Sequence, residues 1–562
     1  QDRNGKVLAA NRTVCTISVI HSQIKDADEV VSALSETLKM QPKDVQKKVE
    51  KITAREIIKT NVEKKVGDAI REMDLAGVKV DEDYKRYYPF GSLASKVLGF
   101  TGADNQGIIG LEVSYDEVLK GIGGSILTYT DAAGIELKNT AEQRVEPIAG
   151  NTLRLTMDWN IQSFVTQVCL ELMEEKQANE VSCIVMNPQN GEIYAMANVP
   201  EFDLNRPFEL PEGTTCENEE MKQDLLNKMW RNANVSDTHE PGSTFKILST
   251  YAPAIDTGSM TLATVFDDAP YQYENGQKVT NYVSTSYKGL TTVRDAIIDS
   301  NNIVAVKALT DLTPQVGFDF LQKLGFTTLV NNRVSTNGTY ESDVNQSLAL
   351  GGITDGVTNV ELTAAYAAIA NQGTYNTPVL YTTVKDSNGN VLLSNKKKSR
   401  KVIKKSTAWL LTNAMEDVVK KGTGRAAQLD SDMAVAAKTG TTSNNYDYWF
   451  CGYTPYYTAS VWTGYDYNTS FDNDEDYHKV IWKKIMDRII SEKKQKVKSF
   501  PSNKNIKKAE ICIKSGKKAL PNVCSKDPEK SMVRTEYFAS GTVPKDSCDA
   551  HIAVTFCSKS HL

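Results

Sequence analysis

The sequence predicts a multidomain α/β protein in which a central antiparallel sheet is flanked by helices, with a module before it and a smaller one after it. Three observations carry that prediction. At 562 residues the chain exceeds what one hydrophobic core ordinarily organises. Its middle holds a hairpin, Val181 to Met186 and Glu192 to Ala197, about the turn Asn187-Pro-Gln-Asn-Gly191; three more strand-like stretches follow at Met433 to Lys438, Tyr448 to Tyr453 and Thr458 to Gly464. Amphipathic helices bracket them, one from Trp159 to Lys176 with Ile161, Phe164, Val165, Val168 and Leu172 on its apolar stripe, the other from Asp476 to Ile490.

These patterns divide the chain at 1–150, 151–492 and 493–562. In the first part Val30 to Leu38 and Val49 to Ile58 have helix-compatible apolar spacing. Asn151 to Met157 alternates as a strand does, and the polar stretch 198–238 reads as loops with short helices. A helix from Thr292 to Asp299 leads to Ser300, and two more run from Ile303 to Leu309 and Val316 to Leu324, with Pro314 between. Gln346 to Tyr366 is periodically apolar but interrupted by Gly351-Gly352, and the basic run from Lys396 to Lys404 is a solvated loop. The last part is lysine-rich up to Lys518, is broken by Pro501, Gly516 and Pro521, and from Ala509 reads as a small cysteine-containing module.

The net charge of −5 gives no general case for a nucleic-acid partner, and no stretch has the eighteen or more apolar residues of a membrane span. Of nine cysteines, Cys15, Cys169, Cys183, Cys216 and Cys451 are scattered, whereas Cys512, Cys524, Cys548 and Cys557 crowd the end. The last four are expected to form two disulfides, with three pairings open, which suits an oxidising exterior.

The chemistry centres on Glu240-Pro-Gly-Ser-Thr-Phe-Lys246. Ser243 and Lys246 are nearly one helical turn apart and so share a face. A serine hydroxyl needs an adjacent base, and a lysine stripped of solvent can be one. Alone the pair reads equally as a capping serine and a snorkelling lysine; taken singly, Ser300 and Asn302 read as a cap and a turn residue. The combination decides: Ser300-Asn-Asn302 and Lys438-Thr-Gly-Thr441 follow in that order.

This set resembles the motifs of penicillin-recognising serine enzymes, and the chain is similar to class B penicillin-binding proteins in the flanking Ala233-Asn-Val235 and Leu290-Thr-Thr-Val-Arg-Asp-Ala296 as well. Asn301 stands where the quoted form of the middle motif has aspartate. The resemblance implies a transpeptidase fold like that of serine β-lactamases on an N-terminal non-catalytic pedestal, with Arg86 and Glu112 bracing the pedestal by a salt bridge. No glycosyltransferase-like domain is visible. It implies a peptidoglycan D,D-transpeptidase acting on stem peptides that end in D-Ala-D-Ala and acylated by β-lactams. In that reading Ser243 is the nucleophile, Lys246 its base, Ser300 a proton relay, Asn302 a holder of Lys246 and of substrate, and Lys438 an electrostatic receptor. Thr439 and Thr441 bind the substrate carboxylate, Gly440 lets substrate lie close, and the Ser243 and Thr441 amides form the oxyanion hole. The alternatives are a D,D-carboxypeptidase or β-lactamase-like hydrolase, or a non-catalytic β-lactam sensor or scaffold. The resemblance further implies a single N-terminal membrane anchor ahead of Asp2-Arg-Asn-Gly5, an extracellular catalytic domain and membrane partners in a cell-wall synthesis complex.

The chemistry requires no cofactor, but a structural Zn2+ is expected from Cys451, Asp474, His478 and a fourth ligand, Asp472 or Asp476, with Asp472 preferred. A calcium loop fits the same acidic run less well, because Tyr477 and Lys483 occupy the places of its glycine and closing glutamate.

Overall fold

The computed structural model describes residues 1–127, 129, 143–282, 286–442, 445–465, 470 and 476–552. The chain divides into two units, the first made of Gln1–Leu155, Phe202–Trp230 and Thr383–Ser394. In it strand β1 (Ala10–Val19) is followed by helices α1 (Ala27–Leu38) and α2 (Pro42–Val49), strand β2 (Glu56–Glu63), helix α3 (Lys64–Glu72) and strand β3 (Val78–Tyr87). The strands pair antiparallel in the order β2-β1-β3. Asp26 caps α1 by accepting from the Glu29 amide at 3.0 Å, and Pro42 opens α2, where its missing N–H is no loss. The helix expected from Val49 to Ile58 is instead the end of α2 and the start of β2. Ile58 and Val62 are the buried residues of that strand, a spacing that suits a helix or a strand; the β-branched run Ile57, Ile58, Thr60 and Val62 favours the strand.

Arg86 Nε donates to Glu112 Oε1 at 2.7 Å, and the Tyr88 hydroxyl reaches the same oxygen at 3.3 Å. Glu112 is buried, so the guanidinium offsets the desolvation of its carboxylate. The stretch expected as loops with short helices holds a 12-residue helix, Glu219–Trp230. It belongs to this unit because Phe100 collects the rings of Phe202, Phe208 and Trp230 edge-on.

The second unit takes in 156–201, 231–382 and 395–562. Its elements are α4 (Trp159–Lys176), β4 (Glu180–Met186), β5 (Ile193–Val199), α5 (Val293–Ile298), α6 (Asn302–Leu312), α7 (Asn359–Ala370), α8 (Lys405–Lys421), β6 (Ala436–Thr441), β7 (Asp447–Tyr453), β8 (Thr458–Gly464) and α9 (Tyr477–Glu492), then β9 (Ile506–Cys512) and β10 (Val533–Ala539). A five-stranded antiparallel sheet runs β6-β7-β8-β4-β5. One face packs Val181, Cys183, Val185, Tyr448, Phe450 and Val461 beneath Val165, Val168 and Leu172 of α4 and Trp482, Ile485 and Met486 of α9. On the other lies α7, whose Asn359 donates to Ser182 Oγ at 2.9 Å. Strand β6, which carries Lys438, is one edge of the sheet.

Sequence periodicity leaves α8 unassigned. Ala408, Leu411, Met415 and Val418 are buried on it, but Lys404 precedes it with no capping side chain, so its start carries no signal. The closing pair β9 and β10 is antiparallel, from Ile506 opposite Ala539 to Cys512 opposite Val533. Among the described residues no helix is long and apolar enough to cross a membrane.

Replacing Arg86 with alanine strands the buried Glu112 carboxylate, and the first unit is expected to lose about 3 kcal/mol of stability. Urea unfolding of the purified protein measures it.

Candidate active site

Gly242 turns the chain with φ +52° into one tight 3-10 turn, Gly242–Thr244. The helix then widens into π geometry over Lys246–Tyr251 and tightens to α over Ala252–Thr257. The expected helix is thus present but irregular, as helices at functional sites often are. Phe245, Ile247 and Leu248 are fully buried and anchor it, while Ser243 keeps partial access to solvent.

Lys246 is wholly buried. Its amine donates to the Ser300 carbonyl and to Asn302 Oδ1 and lies 3.2 Å from Ser300 Oγ. Burial, and then the charge of Lys438, hold its pKa well below the ordinary lysine value. A neutral amine has two N–H groups, matching the two carbonyl oxygens, and keeps its lone pair for a hydroxyl proton.

Thr292 caps α5, which ends at Ile298 just before Ser300; Ser300 then takes φ +56° and reverses the chain, and Asn301 caps α6 by accepting from the Val304 amide at 2.8 Å. Asn301 therefore supplies the cap that an aspartate would supply, and the departure from the quoted motif leaves the local geometry intact. The Asn302 amide donates to the Thr280 carbonyl at 2.6 Å, so its nitrogen braces the loop where substrate contact was expected.

Lys438 enters from β6, also fully buried, and donates to Ser300 Oγ at 2.7 Å and to the Thr439 carbonyl at 3.0 Å. Burial and the charge of Lys479 lower its pKa to about 7, against the opposing pull of Cys451 across the strand. Ser300 Oγ is thus shared between two lysines.

Two motif residues have geometry different from their expected tasks. The Thr439 hydroxyl shares a 2.9 Å hydrogen bond with the Thr423 hydroxyl. A Cβ on Gly440 would stand 2.8 Å from both the Pro241 carbonyl and Thr244 Cγ2. Glycine here permits β6 to press against the Ser243 turn, so the close approach it allows is internal. Thr423 itself was missed. Its signal is the Gly422-Thr-Gly424 stretch at the end of α8, where Gly422 passes so near Ile298 that a Cβ would meet its carbonyl at 2.4 Å.

Of the expected zinc ligands, the structure describes Cys451, Asp476 and His478. Successive residues of a strand face opposite sides. His478 packs on the rings of Tyr448 and Phe450 on the α9 face, whereas Cys451 points with Lys438, its cross-strand partner, to the opposite side of the sheet. Asp476 pairs with Lys479 at 2.6 Å, and Asp472 and Asp474 lie outside the described residues. The cysteine pairs expected at the end are also not formed: Cys512, Cys524 and Cys548 are free thiols, and Cys557 lies outside the described residues.

Comparison with known proteins places the chain in a family. The penicillin binding protein transpeptidase domain matches residues 181–490, the penicillin-binding protein dimerisation domain residues 1–155, and the penicillin-binding protein 1A C-terminal domain residues 502–553. Stage V sporulation protein D of Bacillus subtilis is 31% identical over 479 residues, 81% of this chain and 71% of that protein. Penicillin-binding protein 1A of Clostridium tetani is 32% identical over 327 residues, 56% of this chain and 40% of that protein. The crystal structure of penicillin binding protein 2X from Streptococcus thermophilus has the same fold, with TM-score 0.68 at 20% identity over 87% of this chain and 78% of that one. The chain belongs to the penicillin-binding protein transpeptidases, and its function is that of a peptidoglycan transpeptidase.

Gly440→Ala forces β6 away from the Ser243 turn at a cost of about 1–3 kcal/mol. Acylation by penicillin is expected to slow about tenfold or more, measured by stopped-flow with a fluorescent penicillin; a wild-type rate would mean that the strand and turn can separate harmlessly.

Proposed function

We propose that the protein is a serine D,D-transpeptidase that cross-links stem peptides ending in D-Ala-D-Ala and is acylated by β-lactams at the same residue. The observation that carries this reading is the buried Lys246 amine, held by Ser300 and Asn302 three residues after a Ser243 that retains solvent access. Ser243 Oγ attacks the penultimate D-alanine carbonyl while Lys246 takes its proton; the C–N bond then breaks, and the leaving D-alanine amine receives a proton through Ser300 Oγ. The Ser243 and Thr441 amides stabilise the oxyanion, each worth about 3 kcal/mol. Lys438 lies too deep to be an open surface cation. It acts through Ser300 and through the positive potential it sets beside Thr441, where a substrate carboxylate docks. The amine of a second stem peptide then takes the acyl group. A membrane anchor ahead of Gln1 and partners in the membrane complete this reading, as in the family at large.

Intact mass after incubation with benzylpenicillin is expected to show one drug adduct on the wild type and none on Ser243→Ala; equal adducts, or none on either, refute the assignment. A hydrolase would shed the adduct rapidly, and a mere sensor would release no D-alanine from a model peptide. Lys246→Ala should slow acylation by about 10²–10⁴-fold.

Both lysine pKa values are displaced downward. In acid Lys246 gains a proton and the base is lost, so acylation falls as pH drops. As pH rises through about 7 Lys438 loses its charge, so acylation by a carboxylate-bearing penicillin falls again. The bell shape should lose its alkaline limb when the penicillin is offered as its methyl ester.

A further inference from the structure

The C-terminal module buries little apolar surface of its own. The matched segment 502–553 has one strand pair, and one of its two small clusters of buried residues is Cys512, Cys524, Cys548 and Met532. Domains of this size ordinarily need a covalent or metal staple. All eight described cysteines are free thiols, which points away from disulfides.

The Sγ atoms of Cys512, Cys524 and Cys548 and a ring nitrogen of His551 all lie within 4.8 Å of one another. His551 Nδ1 is 3.4 Å from Cys512 Sγ and 3.3 Å from Cys548 Sγ. Tetrahedral zinc, with bonds of about 2.3 Å to sulfur and about 2.0 Å to nitrogen, separates its ligand atoms by roughly 3.5–3.8 Å. The surroundings are those of a ligand set. His551 Nε2 meets Asp527 Oδ2 at 2.8 Å, and that buried carboxylate is itself held by Lys514 at 2.8 Å. This fixes the imidazole with Nδ1 toward the sulfurs, as carboxylates do for histidines that bind metal. The Leu520 amide donates to Cys524 Sγ at 3.2 Å, a contact that suits a thiolate.

We propose that Cys512, Cys524, Cys548 and His551 bind one structural zinc ion, the three thiols losing their protons, and that this ion holds the module in the position from which it braces the active site. The brace runs through β10, whose Val533 lies opposite Cys512. Glu536 of β10, fully buried, takes Arg294 of α5 at 2.7 Å; Arg534 holds Asp295 at 2.7 Å and the capping Thr292 hydroxyl at 2.8 Å. Helix α5 is the element that delivers Ser300. The metal centre stands on its own chemistry and does not depend on the transpeptidase reading.

The test starts with metal analysis of the purified full chain under reducing conditions, with thiol titration and cobalt exchange. The expected results are one zinc per chain, three additional titratable thiols after chelation, and visible cobalt bands of tetrahedral thiolate type. Chelation should lower the unfolding midpoint by about 5 °C or more and raise amide exchange in α5 while the central sheet stays protected. Asp527→Asn, which keeps all four ligands, should weaken zinc binding about 10–100-fold. Substoichiometric metal without cobalt bands, a disulfide among the three cysteines, or zinc kept by Cys548→Ser would overturn the site. Unchanged exchange in α5 on metal loss would overturn the brace.

Discussion

A lysine amine buried against the chain reversal at Ser300, its pKa pushed well below the ordinary lysine value, is the constraint on which the catalytic unit depends. A charged lysine at full burial is costly; burial, and then the charge of Lys438, favour the neutral form of Lys246, whose two N–H groups meet two carbonyl oxygens. Each surrounding element serves this arrangement. The widened helical turns carry Lys246, the left-handed Ser300 aims its carbonyl and hydroxyl at one amine, and the edge strand brings Lys438 to the same hydroxyl. Electrostatic repulsion between the lysines is therefore part of the mechanism, since it keeps a proton off the base.

Much of this was legible in the sequence where one signal pointed one way. The helix from Trp159 to Lys176 and the strand from Thr458 to Gly464 are bounded as their periodicity dictates, and the three motifs converge on one hydroxyl. Legibility failed where a pattern served two structures or where contacts were distant in sequence. Ile58 and Val62 fit a helix and a strand alike. Helix α8 lacks a capping residue at its start, so its apolar stripe went unread, and with it Thr423 beside Thr439. Gly440 looked like a substrate contact because only the folded chain shows Pro241 and Thr244 behind it.

Cys451 and His478 are close in sequence, but a strand alternates faces and His478 lies on the helix covering the opposite one. The four donors that do meet have 11, 23 and 2 residues between them, without a Cys-x-x-Cys signature, so the three cysteines read, with Cys557, as disulfide partners and His551 carried no signal. Folding brought together what spacing could not suggest. It also shows why a lysine-rich tail is tied to a catalytic unit: its second strand lodges two charged residues against the helix that ends just before Ser300.

The central claim concerns a protonation state, and side-chain NMR of Lys246, assigned by comparison with a Lys246→Met variant, tests it most directly. The account predicts the chemical shifts of a neutral amine at pH 8. An amine that stays protonated up to the ordinary lysine value of 10.5 would contradict it.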